Sequence, residues 1–295
     1  MPAATELQTI RDVLRYAVSR FRAEKLVHGH GATTALDEAA FLILESLSLP
    51  VDDINPWLDA RLTRAELGKL VRLIEKRIKT RKPAAYLLKK TYMHGIPFYV
   101  DERVIVPRSY IGELLVNGLL DASGTPIIDP GSVTSVLDLC TGSGCLAVLA
   151  SNLLPDAAID ATDLSQDALA VAAINIRNFD LSSQVTLHKG DLFGPVAEKS
   201  YDLIIANPPY VAAAEVKAFP PEYRKEPQLA HLGGQDGLDI VRRILKEAPR
   251  HLNFDGVLIC EIGTGRDIIE AEFPDLELLW LDTEESFGEV FLLRK

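Results

Sequence analysis

From Val133 onward the chain alternates short β-branched apolar runs with amphipathic helical stretches, and that alternation leaves few folds open. "VTSVLDLC" reads as a buried strand and "CLAVLASNLL" as a helix stopped by Pro155. "AAIDATD" is a second strand, followed by the helix "SQDALAVAAINIRNF" with Ser165 as its N-cap. "QVTLHKGDL", "YDLIIAN", "GVLICEI", "LELLWLD" and "EVFLLRK" supply further strands. This order predicts a doubly wound α/β sheet with helices on both faces.

The first 80 residues have a different texture. "TTALDEAAFLILESL" offers Thr34 as an N-cap with Asp37 three residues on, and Leu36, Ala40, Ile43, Leu44 and Leu47 keep helical spacing. "TRAELGKLVRLIEKRIKT" repeats the pattern with Leu67, Leu70, Val71, Ile74 and Ile78. In "AAYLLKKTYMHGIPFYVDERVIVPRS" the His94-Gly95 corner predicts a short hairpin before a helix starting near Ser109. "DASGTPIIDPGS", residues 121–132, reads as a linker. The expected division is 1–82 helical, 83–132 hairpin and linker, and 133–295 the sheet domain.

Composition narrows the partners. The 295 residues are 47% apolar, with 31 Lys and Arg against 42 Asp and Glu, a net charge of −11. That balance disfavours phosphate backbones and suits a basic protein partner. No apolar run reaches the roughly 18 residues of a membrane span. The N-terminal stretch lacks the charged-apolar-small order of a signal peptide. Cys140, Cys145 and Cys260 are odd in number and lack zinc-site spacing, so a reducing cytoplasm and burial as small hydrophobes are expected. "VHGHG" reads as a loop corner rather than a metal site, and no metal is expected.

"LDLCTGSGC", residues 137–145, is strand, glycine-bearing turn and helix start. Gly142 and Gly144 leave room for a ligand to approach backbone, although such pairs also close strand–helix corners for packing alone. The loop matches neither the triphosphate pattern nor the dinucleotide pattern. About twenty residues on, "IDATDLS" ends on Asp163, where an acid can accept both hydroxyls of a ribose. "KGDLF" puts Asp191 at the same sheet edge, where ligands of open α/β sheets bind. A ligand with ribose and adenine but no phosphate satisfies these features, which points to S-adenosyl-L-methionine.

"IIANPPYV", residues 204–211, ends a buried strand on a rigid polar corner at that edge. Asn-Pro alone is a turn signal. Beside an activated methyl donor, the corner suits a planar nitrogen carrying two N–H donors, because the protein then has only to position a nucleophile. Asn207 accepts one donor through its side-chain oxygen and the Pro208 carbonyl accepts the other. Pro209 biases Pro208 toward extended backbone, and Tyr210 packs beside the planar group.

Together "VLDLCTGSGC", "GDLF", "ANPPYV" and "GGQDGLDIV" resemble the glutamine side-chain amide methyltransferases of the HemK/Prm family over most of the chain. The resemblance implies a seven-stranded, Rossmann-like class I sheet dependent on S-adenosyl-L-methionine, its last strand antiparallel, with a small N-terminal helical domain and a connecting β-hairpin. It implies a glutamine in a protein loop as substrate, recognised partly by the helical domain. On the matching positions it puts Thr141, Gly142 and Gly144 in the cofactor loop and Asp163 on the ribose. Asp191 and Leu192 border the adenine. Asn207, Pro208, Pro209 and Tyr210 hold the glutamine amide, with Asn207 also beside the cofactor. The junction "FYVDERVIVPRSYIGELL" and the run "PPEYRKEP" resemble the branch acting on the third large-subunit ribosomal protein. The release-factor branch carries instead an acidic-Thr-acidic triplet after Pro-Arg. Tyr223 and Glu226 are then expected in the wall of the substrate site. The implied partner is a ribosomal protein before or during assembly, with no membrane and no direct nucleic-acid recognition. Two other readings share the motif: an adenine amino methyltransferase, which the net charge disfavours, and a non-catalytic binding subunit, which the intact motifs disfavour.

Overall fold

The computed structural model describes residues 6–120, 124–284 and 286–295. Helices α1 (Ile10–Ala23), α2 (Ala35–Ser46) and α3 (Arg64–Thr80) come first, and each starts in the same way. The hydroxyls of Thr9, Thr34 and Thr63 accept the backbone N–H of Asp12, Asp37 and Glu66, whose carboxylates reach back to the cap N–H. Their apolar faces meet around Val13, Phe21, Leu42, Leu70 and Ile74. The face of α2 differs from the one its apolar spacing predicts: Leu36 is 51% exposed, while Glu38 is buried beside Ala39, Leu42 and Ile43. Glu38 turns inward because its partners are there. It accepts Arg77 Nε at 2.8 Å and the Ala84 N–H at 3.0 Å, and lies 2.7 Å from His28 Nδ1.

A short α4 (Ala84–Leu88) leads into the hairpin β1 (Thr91–Met93) and β2 (Ile96–Phe98), turned at His94 and Gly95 with positive φ at both. After an extended segment, Ser109 caps α5 (Tyr110–Val116) by accepting the Ile111 N–H. Residues 121–123 of the expected linker lie outside the described residues. The remainder is no free tether: Ile127 and Ile128 are buried, and the Ile127 N–H bonds to the Leu119 carbonyl at 2.8 Å.

The strands β3 (Ser135–Leu139), β4 (Ala158–Asp163), β5 (Val185–Lys189), β6 (Tyr201–Ala206), β7 (Leu252–Glu261), β8 (Leu278–Leu281) and β9 (Val290–Arg294) form one sheet in the order β5-β4-β3-β6-β7-β9-β8. Strand β9 runs antiparallel to both neighbours, and the other adjacent pairs are parallel. This is the seven-stranded Rossmann-like arrangement expected. The connecting helices are α6 (Cys145–Leu153), α7 (Gln166–Asn178), α8 (Ala213–Ala218), α9 (Asp239–His251) and α10 (Arg266–Glu272). Period-two alternation feeds both faces. On β6, Leu203 and Ile205 join Val136, Ile159 and Val257 on the side of α5 and α6, while Ile204 and Ala206 join Leu137 and Leu258 on the side of α9. Strand order reverses between β3 and β6, which opens a crevice outside their carboxyl ends. No helix among the described residues is long and apolar enough to cross a membrane.

The helical module is fastened to the sheet body by buried charge. From the segment 219–231, Glu222 lies 3.1 Å from Arg81 and 3.8 Å from the fully buried Arg77. Glu226 lies 2.9 Å from both Arg108 and His231, and 3.6 Å from His30. Burial alone would raise the Glu38 carboxyl. The His28 contact and the Arg77 pair outweigh it and hold the group at about 2. Because this folded-state value is depressed, the Glu38 contribution is whole above its ordinary value of 4.5 and is lost as pH falls toward 2. Replacing Arg77 by Leu leaves Glu38 buried without its cation and should cost about 3–5 kcal/mol at neutral pH. Urea unfolding at pH 7 and at pH 3 should show the gap between wild type and Arg77→Leu narrowing in acid; a gap that does not depend on pH would refute the assignment.

Candidate active site at the strand ends

The carboxyl ends of β3, β4, β5 and β6 deliver four loops to the crevice, around a cavity of about 350 Å³. Of the residues singled out in the sequence, Thr141, Gly142, Asp163, Asp191, Leu192, Asn207 and Pro209 line it. Gly144, Pro208 and Tyr210 are not among the residues that line it.

Asp163 ties two of the loops together. Its carboxylate accepts the Gly142 N–H at 2.9 Å on one oxygen and the Ser165 N–H at 2.8 Å on the other. Each oxygen keeps a lone pair for a further donor, such as a ribose hydroxyl. Burial raises its affinity for a proton, and the two backbone bonds oppose that. Gly142 turns at φ +55°, which lets its N–H face Asp163. Gly144 also serves packing. Its φ is +78°, and an added Cβ would lie 3.1 Å from the Ala172 Cβ, so the missing side chain lets α6 approach α7. The Thr141 hydroxyl is likewise directed inward, donating to Asp138 at 2.6 Å. Leu192 is buried with φ +46°, and its side chain belongs both to the core and to the cavity wall. Asp191 is exposed and pairs with Arg243 at 2.7 Å. Cys140 departs from its expected full burial, since it is only half-buried and lines the cavity; Cys145 and Cys260 are buried.

At the end of β6, the Asn207 side-chain Nδ2 donates to the Arg108 carbonyl at 3.2 Å. A carbonyl can only accept, so this contact fixes which end of the amide is which and leaves the Asn207 oxygen free to accept, on a residue that lines the cavity. The Tyr210 hydroxyl donates to Glu261 Oε1 at 2.8 Å. Glu261 ends β7, is buried, and on its other oxygen accepts the Ser109 hydroxyl at 2.7 Å and the Tyr110 N–H at 3.0 Å. Burial raises the Glu261 proton affinity, opposed by these three donors, and burial beside Glu261 raises that of Tyr210. The glycines of "GGQDG" pack beneath this corner. A Cβ on Gly233 would lie 2.6 Å from the Pro209 oxygen, and one on Gly237 would lie 2.3 Å from the Tyr210 oxygen.

Several of these residues escaped the sequence reading. Glu261 ends a strand at the same edge as Asp163, so the rule that located Asp163 reaches it too. Asp138 is buried, carries one oxygen without a hydrogen-bond partner, and is raised by burial to about 7; its place inside β3 hid it. Glu226, expected in the substrate wall, is instead an internal tie that accepts the Val106 N–H at 2.8 Å and the Arg108 guanidinium at 2.9 Å. Its carboxyl sits well below the usual range: burial opposes this, and the contacts from His231, His30 and Arg108 prevail. Tyr223 packs on His30, ring centroids 4.4 Å apart, and joins the two modules. In "VHGHG", His28 faces Glu38 and His30 faces Glu226, so both contact internal acids.

The lining charges select the ligand. Asp163 and Asp167 line the cavity without an ion pair among the described residues; of the other lining charges, Glu102 and Asp191 pair with Lys82 and Arg243, and Arg103 and Arg108 pair with Asp101 and Glu226. Such a wall repels phosphates and suits a cationic nucleoside, which is the character of a sulfonium with an adenosine group. Residues 119–219 match the family described as Methyltransferase small domain. The chain is 57% identical to the ribosomal protein uL3 glutamine methyltransferase of Bradyrhizobium diazoefficiens, over 97% of its own length and 90% of that protein. Identity to the protein of the same name is 52% in Burkholderia pseudomallei, over 98% and 95% of the two chains. In Bordetella pertussis it is 50%, over 98% and 96%. The methyl donor of this enzyme is therefore S-adenosyl-L-methionine. With half or more of its residues identical across nearly its whole length, the chain belongs to the ribosomal protein uL3 glutamine methyltransferase family.

Proposed function

We propose that this protein methylates the side-chain amide nitrogen of one glutamine in ribosomal protein uL3, before or during assembly of the large subunit. The relatives' shared name supports the substrate. The observation that supports the chemistry is the contact of Asn207, a cavity-lining residue, with the Arg108 carbonyl, which engages its Nδ2 and leaves its oxygen to accept. Residues 142 and 163 hold the donor's adenosine end, with Asp191 and Leu192 beside the adenine. Asn207 and the Pro208 carbonyl take the two N–H groups of the glutamine amide, and Tyr210, pinned by Glu261, flanks its plane. Residues 1–82 serve recognition, 83–132 connect, and 133–295 carry the chemistry.

When bound, S-adenosyl-L-methionine supplies a methyl group already activated on a sulfonium. The protein's part is orientation: the amide nitrogen is held in line, and its lone pair, normally delocalised into the carbonyl, is turned toward the methyl group. After alkylation the nitrogen is acidic, and its proton leaves to water. No strong general base is required, consistent with Glu261 being engaged by three donors.

Asp163→Ala removes a charge-assisted acceptor of ribose hydroxyls and should weaken cofactor binding on the order of ten- to a hundredfold. Calorimetric titration checks this, and an unchanged dissociation constant would remove the ribose assignment. Glu261→Gln places an amide among three donors and should lower kcat about tenfold with cofactor affinity preserved. Because Glu261 acts through Tyr210, the same change in a Tyr210→Phe background should add little. Equal losses in both backgrounds would refute the route through Tyr210 and leave the hold of Glu261 on Ser109 and Tyr110. Asn207→Ala should cut turnover by about a hundredfold or more, by analogy with the loss of a preorganised hydrogen bond. Labelled-methyl assays on uL3, release factors, RNA, early particles and finished subunits test the substrate. Labelling of release factors or RNA as efficient as that of uL3 would overturn it, and labelling should be faster on free uL3 or early particles than on finished subunits.

A further inference from the structure

The net charge of −11 conceals a division of sign. Residues 1–82 hold 14 Lys and Arg against 11 Asp and Glu, whereas residues 83–295 hold 17 against 31. The positive excess is also ordered. On α3, Lys69, Arg72, Lys76 and Lys79 are all exposed and spaced three or four residues apart. At 3.6 residues per turn they fall within about 80° of helix circumference and span about 15 Å. The acids of α3 are turned elsewhere: Glu66 closes the N-terminal capping box and Glu75 binds Arg20 and Tyr16. Lys69 contacts the Ser46 carbonyl. Arg72, Lys76 and Lys79 have no ion pair among the described residues. Neighbouring cations sit about one turn apart, inside the Debye length of about 8 Å at physiological salt, so their fields reinforce one another.

We propose that this stripe docks the phosphate backbone of RNA, so that the enzyme engages uL3 in its RNA-bound form. The inference rests on the uL3 reading above. A basic protein is drawn to the acidic body and repelled by the stripe, whereas an RNA does the reverse. A ribonucleoprotein presents both signs at once, which is the complement of this chain. Position supports the assignment: just beyond the stripe, Lys82 pairs with Glu102, which lines the cavity. The C-terminal end of α3 thus lies near the cavity wall, and the chemistry at Asn207 remains that of a protein amide.

The test uses the full chain and a fluorescein-labelled RNA hairpin in anisotropy titrations at several salt concentrations. Four engaged phosphates should give a slope of log affinity against log salt of about −3. Arg72→Glu, Lys76→Glu and Lys79→Glu combined should weaken binding at low salt at least tenfold and flatten the slope, with the neutral Gln triple intermediate. The same reversal on the sheet body, at the exposed Lys217, Lys246 and Arg250, should change binding far less. Melting temperature and cofactor affinity of the stripe variants should stay at wild-type values, and methylation should fall on RNA-bound uL3 but not on free uL3. Equal weakening by both sets of substitutions, or no salt-dependent binding by wild type, would overturn the proposal. Displacement of the hairpin by polyglutamate at matched charge would assign the stripe to an acidic protein instead. If neither form of uL3 is methylated, the substrate reading fails while the anisotropy result still decides the RNA inference.

Discussion

Two buried carboxylates, Glu226 and Glu261, grip the extended segment 106–110 from its two ends, and the geometry of the Asn207–Tyr210 corner depends on that grip. Glu226 takes the Val106 N–H and the Arg108 guanidinium, and Glu261 takes the Ser109 hydroxyl and the Tyr110 N–H. A carboxylate removed from water must fill its lone pairs with donors, so neither can release the segment without a large loss. The Arg108 carbonyl is thereby fixed and orients Asn207, while Glu261 holds Tyr210 directly. Residues far apart in sequence are thus locked to one another through backbone that carries no chemistry of its own.

The same grip gives the junction between hairpin and α5 a structural role. Within "VPRSY", the Arg108 carbonyl meets Asn207, and Ser109 and Tyr110 meet Glu261, the partner of Tyr210. A change there alters the support of Asn207 and Tyr210 as well as the surface around them. The "GGQDG" run has a parallel role on the other side. Gly233 and Gly237 admit the carbonyls of Pro209 and Tyr210 at distances that a side chain would forbid.

Coupling extends to the helical module. Glu226 lies between Arg108 and His30, and Glu222 meets Arg77 of α3 and Arg81 just past its end. The helical module and the residues around the cavity are therefore joined through the same buried ion pairs.

Much of this protein is written locally in its chain. Strand and helix order, the Ser165 cap, the His94-Gly95 corner and the edge position of Asp163 and Asn207 follow from periodicity, capping chemistry and the rule that ligands gather at strand ends. These depend on neighbours a few residues away, which is why the sequence displays them. What it could not display were relations settled by distant partners. Glu38 and Glu226 look like surface acids until Arg77 and Arg108 arrive from other elements, and Leu36 looks like core until Glu38 claims the inner face of α2. Gly144 looks like part of a ligand cradle until α7 packs against it. Apolar burial is proportional to area and shows as a pattern, whereas the burial of a charge is decided by whether one specific partner meets it, and only the tertiary structure supplies that partner.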